Sequence, residues 1–585
     1  MSRLHRRPPS PSPVGATPPA GTATPPPGSW LPAAVIAAAA VLAYGNTLSA
    51  PFIFDDLNAI TGNPSIRHLG DAWFPPATAG SSAGRPLVNF SFALNYALGG
   101  FRVEGYHALN LLIHVCAGLA LFGLVRRTLL QPVLQARWGA VARPVAFFTA
   151  LLWTVHPLLT ESVTCVVQRT ESLVGLWYLL MFYCLVRAAE TAAPRRWLTG
   201  CFTACLLGVL TKEVMVAGPV LAGLFHVALI DGSWRAAWTR RGKFLGLLAL
   251  TWVPLFLLVA HNRQRGGSAG FGLGLAWWEY ALTSCRAIVL YLKLSFWPHP
   301  LVVDYGETVV RNLREVWPQA LLLAGLLAAT AVAWARKMPA AFAGAWFFAI
   351  LAPSSSVVPL VSQTVAEHRM YLPLAAVIVL VVTGAWMLAG RRSVVLLTVL
   401  AAILLAATVR RNADYRTALD IWRDTVAKVP ANARAHNNFG DVLDDAGRVD
   451  EAMHEYELTL ELMPRNPIAH YNLAYLLARR GRLEEAVRHF RESIRIEPRV
   501  ADTHTNLGNT LALQARWSEA AAEFALALQI DPGDEVAHYN LGNALVALGR
   551  PAEARTHFAA ALRIRPGMPQ AREALARLGQ AVPAP

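Results

Sequence analysis

Charge is the scarcest commodity in this sequence: Asp, Glu, Lys and Arg together make up 15% of its 585 residues, against 55% hydrophobic. With a mean hydropathy of +0.37, that balance excludes an ordinary soluble enzyme and points to an integral membrane protein carrying a soluble part. Cysteine is scarce too. The six, at 116, 165, 184, 201, 205 and 285, lie in or beside apolar segments and show no paired spacing, so they read as packing residues rather than a disulfide or zinc framework. No His/Cys/Asp cluster has metal spacing either. A divalent metal therefore has no support here, and no cofactor is certain. The net charge of +15 does not signal nucleic acid, because the arginines sit in short clusters between apolar spans and read as topology signals.

Residues 1–29 hold Arg3, Arg6 and Arg7 and then a run of Pro, Ser, Thr and Gly too polar to fold, a disordered cytoplasmic tail. The apolar stretch 30–49 is about 20 residues, the length of a bilayer span, and is read as an uncleaved first helix. Further apolar runs at 106–125, 144–160, 172–189, 197–212, 214–231, 244–260, 317–335, 338–353, 371–390 and 393–409 bring the expected spans to eleven. Basic clusters at Arg126, Arg127, Arg137 and Arg143, then Arg195 and Arg196, then Arg235, Arg240, Arg241 and Lys243, and later Arg336, Lys337, Arg391 and Arg392 mark the cytoplasmic gaps. The segment 276–297 is apolar, yet Glu279, Arg286 and Lys293 fall seven apart and draw one charged stripe, as in a helix lying in the interface. Leaving it out of the count keeps the basic clusters on one side.

The opposite, extracytoplasmic gaps then collect the suggestive polar residues. Asp55 and Asp56 follow the first span; His156-Pro157 with Glu161, and Gln168-Arg169-Thr170-Glu171, share one connection. Lys212-Glu213 tips a tight hairpin, and Glu367-His368-Arg369 precedes Tyr371-Leu372-Pro373. One such motif would be a helix-end anchor; several converging on one membrane face form a candidate site.

Phe54-Asp55-Asp56 with Asn63-Pro64, Arg85-Pro86-Leu87, Leu94-Asn95-Tyr96-Ala97-Leu98-Gly99-Gly100, Gly105-Tyr106-His107 and Asn110 resembles the transmembrane and TPR-containing protein O-mannosyltransferases. His156-Pro157, Thr160-Glu161, Arg169, Glu171, Lys212-Glu213 and Ala366-Glu367 with Tyr371-Leu372-Pro373 continue the resemblance in order, and it covers residues 30–585. It implies a C-type glycosyltransferase fold, all-α and polytopic, that takes sugar (mannose or a similar hexose) from a polyprenyl-phosphate lipid to a protein hydroxyl. Such transfer needs a base for the acceptor proton and stabilisation for the departing phosphate. Asp55 is assigned the first role, with Asp56 orienting the acceptor or raising its neighbour's pKa. Arg369, Lys212, Arg169 and His368 are candidates for the phosphate, and Arg85, His107, His156, Glu161, Glu171, Glu213 and Glu367 complete the expected substrate-binding set. One departure is visible: His368-Arg369 stands where the resemblance leads one to expect Arg followed by apolar residues, shifting the positive charge by one position.

Beyond residue 410 the composition changes. Prolines at 430, 464, 498, 532 and 566 recur every 34 residues, as do Ala452, Ala486, Ala520 and Ala554, and Tyr456, Phe490, Phe524 and Phe558. This is the tetratricopeptide period of two antiparallel helices. Four repeats are expected at 433–466, 467–500, 501–534 and 535–568, with a half-repeat before them and a solvating helix from about 569 to 580, so the expected units are 1–29, 30–410 and 411–585. Asn438, Asn472, Asn506 and Asn540 would align along the inner groove, able to hold a peptide backbone, and resemble the groove of O-GlcNAc transferase repeats. Asn before Leu-Gly is also simply common in such repeats. The column His436, His470, His504 and His538 reads as packing between helices.

Two functional classes follow. One is a multi-pass glycosyltransferase of the inner (cytoplasmic) membrane, its site and repeats extracytoplasmic, its partners a lipid-linked sugar donor and a protein or peptide acceptor, with no nucleic acid. The other is a membrane-anchored TPR scaffold without catalysis.

Overall fold

The computed structural model describes residues 30–261, 275–306, 309–355 and 363–580, so the Pro-rich tail at 1–29 lies outside the described residues. Every regular element among them is helical. Among the described residues six helices are long and apolar enough to cross a membrane: Val103–Leu129, Val166–Ala189, Glu213–Ile230, Trp234–Ala260, Trp317–Ala335 and Pro373–Tyr415. A seventh arises if Pro132–Thr154 and Pro157–Thr164, bent by 53° at their junction, count as one span, and Leu31–Thr47 and Ala341–Leu351 are shorter apolar helices. All eleven apolar runs of the sequence are thus helical. They differ in length because the last two join into one long helix and because 197–212 forms the 15-residue helix Arg195–Val209, packed along Arg169–Ala189. Prolines open several helices in their first turn, among them Pro86, Pro132 and Pro373, where the missing N–H has no intrahelical partner to lose.

The bundle core is aromatic where the most buried helices cross. Phe182 meets Phe225 at 5.2 Å and Trp346 at 5.1 Å, both edge-to-face. By contrast Trp317–Ala335 buries only Leu323, as expected of an all-apolar helix at the periphery of a membrane bundle.

Helix Trp277–Phe296 behaves differently from the spans. Tyr280 Oη donates to Ser354 O at 2.6 Å, Tyr291 Oη accepts from Ala366 N at 2.9 Å, and Ser295 O receives His156 Nε2 at 3.2 Å. Those contacts cover fifteen residues of helix, about 22 Å of rise, yet all their partners lie in connections gathered at one end of the bundle. The helix therefore lies across that end. Its charged stripe faces outward, Glu279 toward Arg311 at 3.8 Å and Arg286 toward Glu315 at 3.9 Å, while Trp277, Trp278, Phe296 and Trp297 are exposed near its two ends, an aromatic anchoring pattern suited to a membrane interface.

The long helix Pro373–Tyr415 passes almost directly into Ala418–Lys428, which Thr417 caps by accepting from Asp420 N at 3.0 Å. Helix pairs Ala433–Asp445 and Val449–Leu462, Pro467–Arg479 and Leu483–Ile496, Ala501–Leu513 and Trp517–Ile530, and Glu535–Ala547 and Pro551–Ile564 follow, then Pro569–Gln580. The 34-residue period reappears in the caps: Asn432, Asn466 and Asp534 accept backbone N–H bonds at the starts of their helices, while Val500 at the same register has no group to do so. The histidine column ties helices within each repeat, alternating partner: His436 and His504 meet Glu455 and Glu523, whereas His470 and His538 meet His489 and His557.

A short segment after the interfacial helix clamps the repeats to the membrane part. Lys428 Nζ donates to Leu301 O at 3.0 Å, Asn432 Nδ2 to Asp304 O at 2.9 Å, and the Arg434 guanidinium to the Asp304 carboxylate at 2.7 Å.

Within each repeat the aromatic ring of the second helix rests where the first has little side chain. A Cβ on Gly542 would sit 2.5 Å from the Phe558 ring, and one on Gly508 2.7 Å from Phe524. Gly542→Val is therefore expected to destabilise the repeats by about 1–3 kcal/mol through overpacking. Gly579→Ala, where nothing lies within 4 Å, should be neutral or slightly stabilising; thermal unfolding of the full chain followed by circular dichroism compares the two.

Candidate functional site

The site forms where the connections at one end of the bundle converge. Its first wall is the turn after the first helix, in which Asp56 N donates to Ile53 O at 3.0 Å and Leu57 N to Phe54 O at 3.1 Å. The two aspartates diverge completely. Asp56 is 1% exposed, and its carboxylate accepts from Val167 N at 2.7 Å and Ile53 N at 3.2 Å. Burial pushes its pKa up to about 7, partly offset by those N–H bonds. Asp55 is half-buried and turned the other way, accepting from Ser81 Oγ at 3.4 Å. Burial raises its pKa as well.

Facing Asp55 is a chain of buried ionisable groups. His368 Nδ1 meets Glu161 Oε1 at 2.7 Å, and His368 N donates to Glu161 Oε2 at 3.1 Å. The other ring nitrogen lies 3.8 Å from Glu171 Oε1, and Glu171 is paired in turn with Lys212. Burial presses the His368 pKa down to about 3, with the Glu171 carboxylate opposing. Arg85 joins from below, donating to Ser81 O at 2.7 Å and facing Glu213 Oε1 at 3.3 Å. A cleft opens beside this chain, lined by Glu171, Lys212, Val214, Ile350, Ser354, Arg369 and Leu372. Arg369 reaches it from a loop pinned to the bundle by two indoles: Trp153 Nε1 donates to Tyr371 O at 2.9 Å and Trp346 Nε1 to Leu372 O at 3.0 Å.

Asp55, Arg85, Glu161, Glu171, Lys212, Glu213, His368 and Arg369 are thus brought together, and five other expected residues are not, Asp56 being the first, turned to Val167 N and Ile53 N. Arg169 is fully buried, with Nε on Asn110 Oδ1 at 2.6 Å, Nη1 on Ser91 O at 3.2 Å and Nη2 on Tyr106 O at 2.9 Å. No part of that guanidinium faces the cleft, so the cations placed for an anion are Lys212 and Arg369. His107 Nε2 meets Ala50 O at 2.9 Å beneath the Asp turn. His156 accepts from Leu158 N at 3.2 Å as a helix cap while holding Ser295. Glu367 points away from its two neighbours and accepts from Val302 N at 2.7 Å and Tyr305 Oη at 2.8 Å. Ser81 and Tyr305 escaped the sequence reading, and Asn110 entered it only as part of the resemblance; the local cue for the first two was the turn-prone composition around Gly80-Ser81-Ser82 and Asp304-Tyr305-Gly306. Among the described residues no three His, Cys, Asp or Glu side chains gather as a metal-ligand set.

The asparagines of the repeats line successive inner helices, half-buried. Asn472 Nδ2 donates to Asp441 Oδ1 at 2.8 Å, Asn506 Nδ2 to Tyr471 Oη at 2.9 Å and Asn540 Nδ2 to Asn509 Oδ1 at 2.8 Å. Each amide nitrogen stitches its repeat to the preceding one. Asn438 Nδ2, in the first repeat, is buried without a partner.

Tetratricopeptide-repeat family profiles match residues 404–467, 467–500 and 511–578. Over the longer chain the similarity is to Protein O-mannosyl-transferase Tmtc3 of Drosophila melanogaster, 27% identical over 73% of this chain and 54% of that protein. Human Protein O-mannosyl-transferase TMTC1 is 26% identical over 74% of this chain and 55% of its own length. Over most of its length the chain is thus similar to the TMTC protein O-mannosyl-transferases. It spans about half the length of these relatives. A third, Drosophila Tmtc2, is 30% identical over 48% of this chain and 31% of that protein. Among solved structures, the crystal structure of MamA matches at 20% identity with a TM-score of 0.25, covering 27% of this chain and 92% of that one.

The placement of Arg169 gives a test. Arg169→Ala leaves several buried acceptors unpaired, each costing about 1–3 kcal/mol, so the variant is expected to lose its folded, monodisperse state. Size-exclusion chromatography of the detergent-solubilised protein reads this directly.

Proposed function

We propose that the chain is a membrane glycosyltransferase that moves a hexose, mannose or a close analogue, from a polyprenyl-phosphate lipid to a hydroxyl group of a protein acceptor. The observation that carries this reading is the half-buried Asp55 carboxylate at the start of a run of ionisable groups, His368 and Glu171, that leads to a cleft lined by Lys212 and Arg369, at the end of the bundle over which the repeats are seated. In this scheme Asp55 takes the acceptor proton as the acceptor oxygen attacks the anomeric carbon. The bond from that carbon to the phosphate oxygen breaks, and the polyprenyl phosphate departs with the electron pair, its charge met by Arg369 and Lys212. His368, kept neutral by burial and hydrogen-bonded to Glu161, orients this wall without adding charge. The relatives' names supply the sugar and the class of acceptor.

The repeats would present the acceptor along their concave face, where the asparagine side-chain oxygens are the groups left to receive peptide N–H bonds. Site and repeats are assigned to the extracytoplasmic side by the basic gaps at the other end. A non-catalytic scaffold remains the contrasting class, but it gives no reason to bury Glu161, Glu171, His368 and Lys212 together, an arrangement that is costly without a task.

Asp55→Asn is expected to lower sugar transfer by about 10²–10⁴-fold with membrane insertion and folding unchanged, measured by mass spectrometry of a serine- or threonine-containing acceptor; wild-type transfer by the variant would remove Asp55 as base. The pH profile carries a sign. Because the carboxyl must be ionised to accept a proton and burial raises its pKa, kcat/KM should fall with decreasing pH at values above the ordinary aspartate range of about 4. Sidedness has its own test: a cysteine at Gly549 should be labelled from the extracytoplasmic side by an impermeant reagent, and labelling from the cytoplasm would reverse the assignment.

A further inference from the structure

The residue preceding Asp55 has a backbone conformation that side chains rarely adopt. Phe54 has φ +51°, one of three non-glycine residues with positive φ among those described, and for a bulky side chain this is strained unless the surroundings hold it. A glycine or asparagine would take that position without help. Phe54 instead uses its ring as an anchor, lying edge-to-face on Trp422 with centroids 5.4 Å apart and planes at 76°. Ile53, 3% exposed, enters the same core, which contains Tyr415, Ile421, Trp422 and Phe439 of the repeat base. On the other side of Asp55, the Asp56 carboxylate is fastened to Val167 N in the membrane part. The strained turn is therefore gripped by a different part of the chain on each side of Asp55.

We propose that the half-repeat at the base of the solenoid is part of the catalytic scaffold, with Trp422 a positioning residue that holds Phe54 in its left-handed conformation and so aims the Asp55 carboxylate at its target. This rests on the reading of Asp55 as the base. It assigns the repeats a second task, separate from holding an acceptor: without their first helix the turn relaxes toward a commoner backbone geometry and the carboxylate swings away from Ser81 and His368. A misplacement of about 1 Å at a reacting group can cost on the order of 10²-fold in rate.

The test uses the full-length protein in detergent or nanodiscs, with Trp422→Ala, Trp422→Phe and Phe54→Ala. The last removes the ring contact and leaves every repeat residue in place, so it answers even where Trp422→Ala unfolds the base. Hydrogen exchange is followed at the amides of Asp56 and Leu57, which close the turn, and kcat and KM are measured with a short serine- or threonine-containing peptide and a polyprenyl-phosphate mannose. Phe54→Ala and folded Trp422→Ala should exchange at least about tenfold faster at those two amides and lose about 10²-fold in kcat with little change in KM. Trp422→Phe, which keeps an aromatic partner, should recover most of both. Unchanged exchange at Asp56 and Leu57 in the folded variants overturns the proposal, as does a rise in KM at constant kcat, which would make Trp422 an acceptor contact. A wild-type protein that transfers no sugar would overturn the functional reading alone, and the exchange comparison would still decide whether the repeats hold the turn.

Discussion

The arrangement of the site depends on one buried carboxylate that takes no visible part in it. By accepting the backbone N–H of Val167, Asp56 ties the end of the first helix to the connection from which Glu161 and Glu171 are drawn, and by accepting Ile53 N it closes its own turn. A carboxylate buried this deeply is stable only with such donors. Once they are in place, Asp56 faces Val167 while Asp55, about 100° away around the helical backbone that opens there, is left on the Ser81 side, its other flank held through Phe54. The pair that looks redundant in the sequence is a division of labour imposed by geometry.

The same economy governs the basic residues. Arg169 satisfies three neighbouring segments at once, holding Asn110, Ser91 and Tyr106, so the floor of the site is rigid. Lys212 and Arg369, each reaching out from a connection, border the cleft instead. Two guanidinium groups of equal sequence prominence thus have different surroundings: Arg169 uses all three of its nitrogens on acceptors away from the cleft, whereas Arg369, held at Ser355, Thr364 and Gln363, still borders it.

Much of this architecture was legible in the residues. The 34-residue period located every helix pair of the solenoid, because a repeat that buries one face on its neighbour must keep Ala452, Tyr456 and their counterparts in register. The seven-residue spacing of Glu279, Arg286 and Lys293 separated a helix lying across the bundle end from those passing through it. Glu161, Glu171, Lys212 and His368 were expected in connections on one side of the bundle, and the structure brings them together there. What could not be read was side-chain direction within a connection: nothing in the order Glu367-His368-Arg369 says that the first turns toward Tyr305 while the others face Glu161 and the cleft. The seat of the repeats was equally silent, since it depends on Asp304 meeting Arg434 across 130 residues of sequence. Short-range patterns carry no information on such pairings.

The clamp at Asp304, with the near absence of linker between the last long helix and the half-repeat, sets the reach of the solenoid. A domain on a flexible tether samples a volume that grows with the tether; this one is fastened at its root and cannot. Any polypeptide lying in its concave face is held at a constant height above the bundle end, with its direction of travel already chosen. For the acceptor proposed above the solenoid would work as a ruler: which residue of a bound chain comes level with Asp55 would be decided by counting along the repeats rather than by the local sequence around that residue.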